Sequence, residues 1–291
     1  MDSKDFQLLV ALYGNARQSY QSLGRRVLLS AHSVRDRLNR LRSKGILQGF
    51  MLSIDSSAFD CNDLLLFFHD NFSRKSVLSA FAAPDVSWVV WKMDGQMIVR
   101  LWTKNERKAS DNLAKILGVR PSVQAHPPRK KRSTPVSITD LSIMDALVDN
   151  PKVPFDEIIK STRLSPKTIR KHLNRLLETK TISIEPLLGA LADSGELVYP
   201  MVIVGRVNMD EVRRIMGEAE QLHYAVEPPV KHVLCRASSL PEVMRKTRML
   251  EKVRGVESVT LSLDREMLVS TDLRHSLIRE EIRKLEKDRM T

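Results

Sequence analysis

The sequence predicts an α+β fold laid out as a tandem repeat, each copy placing three helices and a strand ahead of a run of alternating strands and helices. Three observations predict it. The chain matches itself at a constant offset of 135 residues, with no gap across about fifty positions. A stretch containing Pro127, Pro128 and Pro135 divides it into two near-equal halves. The order of strands and helices then comes out the same on both sides of that stretch.

The repeat comes first because it settles the architecture. Asp5 falls on Asp140, Ala11 on Ala146, Leu12 on Leu147 and Asn15 on Asn150. Leu29-Ser30 falls on Leu164-Ser165, Arg35 on Arg170, Leu38 on Leu173, and Asn39-Arg40-Leu41 on Asn174-Arg175-Leu176. Conservative pairs fill the intervals: Leu8 with Ile143, Tyr20 with Phe155, Leu23 with Ile158 and Val34 with Ile169.

In the first copy, residues 5–13 put Phe6, Leu9 and Leu12 on one helical face, and Gly14-Asn15 ends that helix. Ser19 is a good N-cap for a short second helix carrying Leu23. Ser30 caps a third helix over 31–43, whose stripe Val34, Leu38 and Leu41 recurs at i, i+4, i+7. Its other face carries His32, Ser33, Arg35, Asp36, Asn39 and Arg40, with Arg37 and Arg42 at the margins. Gly45 closes the helix and residues 46–52 follow as a strand. Three helices, the last one basic, and then a strand make a winged helix-turn-helix. The second copy repeats the plan, with Ser165 as cap and Pro166 at the first helical position.

The rest of each half reads β, α, β, β, α, β, the ferredoxin-like split βαβ order. In the first copy the strands are 64–69, 88–91, 97–102 and 122–125 and the helices 73–83 and 106–117, with Asp94-Gly95 as a hairpin signal. The second copy gives strands at 198–207, 223–226, 232–236 and 258–263 and helices at 210–220 and 241–253. A last amphipathic helix, 275–290, aligns Ile278, Ile282 and Leu285, to cap the core or to zip to a second chain. The expected domains are a winged helix at 1–55, a βαββαβ domain at 60–126, a linker at 127–135, a second winged helix at 136–188, a second βαββαβ domain at 195–268 and the terminal helix at 272–291.

Charge narrows the function. The chain holds 47 Lys and Arg against 35 Asp and Glu, a net +12, which favours a polyanionic partner. Residues 1–50 hold nine of these cations against three acids, whereas residues 136–185 net only about +1. Arg129-Lys-Lys-Arg132 adds four cations to the linker, read either as a solvated tether or as a phosphate contact, with nuclear import a poor third. The longest apolar runs, 63–69 and 198–204, suit buried strands and fall short of the roughly 20 residues of a bilayer span. Neither a signal peptide, a membrane segment nor a metal site is expected, and Cys61 and Cys235 read as reduced thiols. No HExxH, P-loop or GxGxxG motif occurs, and no catalytic constellation stands out.

The segment Asp5, Leu9, Leu12, Asn15-Ala-Arg17, Ser19, Leu23, Leu29-Ser30, Ser33-Val34-Arg35, Arg37-Leu38, Leu41, Gly45-Ile46, Gly49-Phe50 resembles the DNA-binding domain of the Lrp/AsnC (feast/famine) regulators. The βαββαβ domains resemble that family's effector-sensing and oligomerising domain. The resemblance covers nearly the whole chain, twice over. It implies a prokaryotic, cytoplasmic, nucleoid-associated transcriptional regulator that binds double-stranded DNA, carries no cofactor and is not an enzyme. It implies recognition helices at 31–43 and 166–179, and a homodimer formed through the βαββαβ domains. The DNA-binding residues expected are Ser30, His32, Ser33, Arg35, Arg37, Arg40, Arg42 and Lys44 in the first copy. In the second copy they are Ser165, Lys167, Thr168, Arg170, Lys171 and Arg175. Because His172 stands where the first copy has Arg37, the second helix is expected to grip DNA less strongly.

The effector site departs from the family pattern. At the hairpin between the second and third strands the first copy keeps Asp94 and Gly95 without a following acid, and the second has Pro228-Pro229-Val230-Lys231. Asp94 and Gly95 are the effector-site candidates, but a buried ammonium group needs more acceptors than they supply. Two other readings stay open. Siroheme decarboxylases resemble paired Lrp/AsnC-type units and hold an acidic tetrapyrrole with His and basic residues, for which His223-Tyr224 and His232 are candidates. A low-specificity, chromatin-like DNA binder would need only the cations.

Overall fold

The computed structural model describes residues 1–128, 135–189, 197–225 and 227–288. The basic run 129–132, Val226, Met290 and the side chains of His223 and Tyr224 lie outside what it describes.

The first half runs α1 (Ser3–Leu12), α2 (Tyr20–Val27), α3 (Ala31–Ser43), β1 (Leu47–Ile54), a single 3-10 turn at Ser56–Phe59, β2 (Asn62–Phe68), α4 (Arg74–Phe81), β3 (Val86–Lys92), β4 (Met97–Thr103), α5 (Glu106–Leu117) and β5 (Val123–Ala125). The second runs α6 (Ile138–Leu147), α7 (Phe155–Thr162), α8 (Pro166–Glu178), β6 (Ile182–Leu188), β7 (Leu197–Gly205), α9 (Met209–Met216), β8 (Ala219–Ala225), β9 (Val230–Ala237), α10 (Leu240–Leu250), β10 (Val256–Leu261), β11 (Asp264–Val269) and α11 (Thr271–Asp288).

Two local expectations need correction. The helix expected through residue 220 stops at Met216, because Gly217 takes φ +79 and its amide closes back on the Arg213 carbonyl at 2.8 Å. Ala219 therefore opens β8 four residues before the expected strand. β11 was not expected at all. It leaves its own half and pairs antiparallel with β3, from Asp264 opposite Lys92 to Val269 opposite Trp88. Alternation in the sequence is local, and the edge that accepts this strand lies about 180 residues upstream.

Each βαββαβ unit builds a sheet of ferredoxin-like order. The first is β3-β4-β2-β5, extended by β11 beside β3, and the second is β10-β7-β9-β8. The helices cover one face of each sheet. On the other face Phe67, Val90, Ile98 and Ala125 of the first sheet pack against Val202, Ala225 and Val230 of the second. Burying a large apolar side chain there stabilises by roughly 1.5–3 kcal/mol. The sheet faces are thus covered within one chain.

The wings pair as well. Phe50 lies opposite Pro186 and Met51 opposite Glu185 in an antiparallel β1–β6 ribbon. At the repeat offset Phe50 is the counterpart of Glu185 and Met51 of Pro186, so the pairing is reciprocal, as across a two-fold axis. One hydrophobic core runs through both helical units: Leu8, Leu12, Leu38 and Leu41 join Ile143, Leu147, Leu173 and Leu176 through Leu52, Ile54, Ile182 and Ile184. α11 caps that core with Ile278, fully buried. Arg274 anchors it, buried and hydrogen-bonded to the carbonyls of Leu52, Ser87 and Ser270, with its guanidinium 5.1 Å from the Trp102 ring. Burial lowers the pKa of Arg274 to about 10, which its carbonyl partners offset by satisfying its donors.

A candidate nucleic-acid interface and an inter-sheet cavity

α3 and α8 begin alike. The Ser30 hydroxyl accepts from the Ser33 amide at 3.1 Å and the Ser165 hydroxyl from the Thr168 amide at 3.1 Å, so one orphan donor in each first turn is tied down in the same way. Val34, Leu38 and Leu41 are buried on one side of α3, and Ile169, Leu173 and Leu176 on one side of α8. The opposite sides face solvent. There α3 exposes His32, Arg35, Arg42 and Lys44, with Ser33 half-buried, and α8 exposes Lys167, Arg170 and Lys171, with Thr168 half-buried. Arg35 is braced by His32 at 2.8 Å, and Arg42 and Arg170 lie 5.9 and 5.7 Å from the rings of Phe50 and Phe155.

Three of the expected DNA contacts, Arg37, Arg40 and Arg175, also have acidic partners within their own unit. Asp5, 1% exposed, accepts from Arg37 at 2.9 Å and from Arg40 at 2.9 and 3.0 Å, and Arg37 also meets Asp2 at 2.7 Å. In the second copy Asp140, fully buried, binds His172 at 2.8 Å and also binds Arg175. Burial works against the charged forms of Asp2 and Asp140. Hydrogen bonds from Arg37 and the Asp5 amide still hold Asp2 below its usual pKa, and those from Ser137, Arg175 and His172 do the same for Asp140. Arg37, Arg40 and Arg175 thus tie each third helix to the first helix of its unit. The residues missed here are the acceptors. Their signal was present, since Asp5/Asp140 and Arg40/Arg175 recur together at the repeat offset.

The two units are also bolted to each other. Arg17 donates to the carbonyls of Pro151 and Val153 at 2.8 and 2.9 Å, and Lys152 donates to the Ala16 carbonyl at 2.8 Å. Arg17 and Lys152 are counterparts at the offset, as are Ala16 and Pro151, so this clamp is reciprocal too. Lys152 also sits 4.9 Å from the Phe50 ring and Arg17 5.4 Å from that of Phe155.

Asp94 and Gly95 form the β3–β4 turn. Asp94 accepts from the Gln96 amide at 3.0 Å, and Gly95 takes φ +85 where a Cβ would meet the Asn71 side chain at 2.0 Å. Neither lines the cavity. That cavity, about 1090 Å³, opens between the two sheets above the β1–β6 ribbon. Leu65, Trp88 and Arg100 form one wall and Pro200, His232 and Leu234 the other. Arg100 is held by Asp63 through contacts of 2.7 and 2.5 Å. At the offset Asp63 becomes Val198, so only one wall carries this ion pair. Asp264, also lining the cavity, accepts from Ser262 at 2.7 Å, and burial pushes its carboxyl up to about 6. The two cysteines are free and buried, which raises their thiols to about 11 for Cys61 and about 12 for Cys235 and makes them poor nucleophiles. Among the described residues no group of three or more His, Cys, Asp and Glu side chains is arranged to hold a metal ion, and no helix is long and apolar enough to cross a membrane.

An AsnC-type helix-turn-helix domain model matches residues 1–42, and a winged helix-turn-helix DNA-binding model matches residues 137–182, the repeat position of the first. Each half of the chain thus carries a stretch similar to a helix-turn-helix domain, the first of AsnC type. Its first winged helix is 44% identical over 55 residues to the HTH-type transcriptional regulator Ptr1 of Methanocaldococcus jannaschii, covering 19% of this chain and 37% of that protein. A regulator of Mycobacterium tuberculosis, Rv2324, is 32% identical over 62 residues, covering 21% of this chain and 42% of that protein. The chain thus spans about two fifths of the length of these curated relatives. Across the full length the fold is similar to that of the siroheme decarboxylase NirDL, with a TM-score of 0.53, 16% identity and coverage of 98% of this chain and 100% of that one. This match corrects the expectation that the chain is not an enzyme: the same duplicated fold, continuous over the whole chain, carries an enzyme. The sequence leaves this reading open as an alternative on His223-Tyr224 and His232, of which His232 lines the cavity.

Proposed function

We propose that the protein is a DNA-binding transcriptional regulator of Lrp/AsnC type that engages double-stranded DNA through α3 and α8. The observation that carries this reading is the matched pair of Ser-capped helices with basic outer faces, presented from one reciprocally paired wing ribbon. An exposed helix fits the major groove, where arginine meets base edges and lysine meets phosphates. The contacting residues in this reading are Ser30, His32, Ser33, Arg35, Arg42 and Lys44 with Ser165, Lys167, Thr168, Arg170 and Lys171. Arg37, Arg40 and Arg175 hold those helices in place. Such a protein works in the cytoplasm at the nucleoid. With its sheet faces covered internally, one chain supplies what a pair of half-length chains would, and a homodimer of whole chains would use other surfaces. A gel shift with genomic fragments against excess random DNA tests the reading. Retention of a subset of fragments supports it, and equal loss of all fragments to competitor points to the chromatin-like alternative.

A second reading is favoured by the inter-sheet cavity and by the full-length match to NirDL: an enzyme acting on a siroheme-like tetrapyrrole. His232 and Arg100 lie on facing walls of that cavity. A shifted Soret band on titration with siroheme, together with release of carbon dioxide, would establish this reading.

A further inference from the structure

We propose that a single chain reads a non-palindromic DNA site, two dissimilar boxes held at one fixed spacing. The proposal rests on the DNA-binding reading above and adds the form of the site. A homodimer related by a two-fold axis presents identical helices and so selects an inverted repeat. Here the two-fold arrangement is kept by the backbone and broken by the side chains.

The backbone part is the reciprocal wing ribbon, the Arg17 and Lys152 clamp and the core shared by both helical units. Ala16 and Ile184 add a further tie, with the Ala16 amide 3.2 Å from the Ile184 carbonyl and the Ile184 amide 3.0 Å from the Gly14 carbonyl. Close-packed interiors do not slide continuously. The distance and angle between α3 and α8 are therefore set by packing and not by a tether.

The side-chain part is visible position by position at the repeat offset. His32 faces solvent where the second copy has Lys167, Asp36 where it has Lys171, Arg42 where it has the half-buried Leu177, and Lys44 where it has Thr179. Arg35 and Arg170 are shared, as are Asn39 and Asn174. The first two turns differ most in charge. α3 offers an arginine bracketed by His32 and Asp36, which are 3.0 Å apart, whereas α8 offers Lys167, Arg170 and Lys171 together. A carboxylate in the groove accepts from cytosine and repels phosphate, while a lysine does the reverse. These two faces cannot prefer the same bases.

The test is in vitro selection from a random duplex library with the full-length protein, followed by insertion of five or ten base pairs between the selected boxes. The expected result is two unlike boxes. Either insertion then costs tenfold or more in affinity, because a rigid pair can follow neither the half-turn rotation nor the full-turn shift. An inverted repeat, or affinity indifferent to both insertions, overturns the proposal alone. Recovery of no sequence above the starting pool overturns the sequence-specific regulator reading beneath it, which is a distinguishable outcome.

Discussion

Asp5 and Asp140 decide how much of each basic helix is available to a partner. Each is a buried carboxylate on the first helix of its unit, and each draws two side chains of the third helix inward, Arg37 and Arg40 in the first copy and His172 and Arg175 in the second. Removing one partner of a buried pair leaves the other's demands unmet. Asp5→Ala is therefore expected to destabilise the fold by roughly 2 kcal/mol, less than for a fully buried pair because Arg40 is half exposed. Arg35→Ala, on an exposed side chain, is expected to leave stability within about 0.5 kcal/mol. Urea unfolding of both variants checks the contrast, and equal stability losses would show that Asp5 has no anchoring role. Leu28 supplies a second residue-scale prediction. It is 83% exposed and holds φ +57 at the end of α2, a left-handed conformation that costs a branched side chain roughly 1–2 kcal/mol. Leu28→Asn should raise stability by about 0.5–1 kcal/mol in the same assay, and a decrease would mean that the leucine makes a stabilising contact in the folded state.

At the scale of elements, most of the fold was legible. Caps at Ser19, Ser30 and Ser165 and the glycine signals at Gly45 and Gly95 placed much of the helix and strand order, because caps and turns are local chemistry. What stayed hidden was long-range. The exchange of β11 onto β3 depends on a free edge in the other half, and the inward turn of Arg37 and Arg40 depends on a carboxylate over thirty residues away. The cavity was illegible for the same reason, since no single stretch contains its walls. α11 carries a testable pH dependence. His275 bridges Asp145 and Asp149 of the α6 region at 2.7 and 3.2 Å. Burial disfavours its charge, yet its hydrogen bonds to the two carboxylates prevail and raise its pKa above 6.5. A raised histidine contributes stability that is fully present below pH 6.5 and is lost as pH rises through the folded value. Hydrogen exchange in α11 should therefore quicken relative to the α3 core as pH rises above 6.5 through the folded value, after correction for intrinsic rates. His275→Ala should abolish the difference; a pH-independent ratio in the wild type would remove the bridge from the account.

At the scale of the molecule, tandem duplication has turned an assembly into a chain. Ribbon, clamp and sheet faces all pair reciprocally within 291 residues, so the two third helices are presented as one rigid unit. Divergence has then acted on the exterior of that unit and on one wall of the cavity, leaving the joints alike. The measurement that tests the central claim most directly is a fluorescence anisotropy titration with duplex DNA over a range of salt, for the wild type and for Arg35→Ala with Arg42→Ala and Lys44→Ala. Removing one cation that neutralises a phosphate lowers the slope of log affinity against log salt by about one unit. The account predicts a slope reduced by about two to three and an affinity reduced at least tenfold, with the melting temperature unchanged. An unaltered slope and affinity in the triple variant would contradict it.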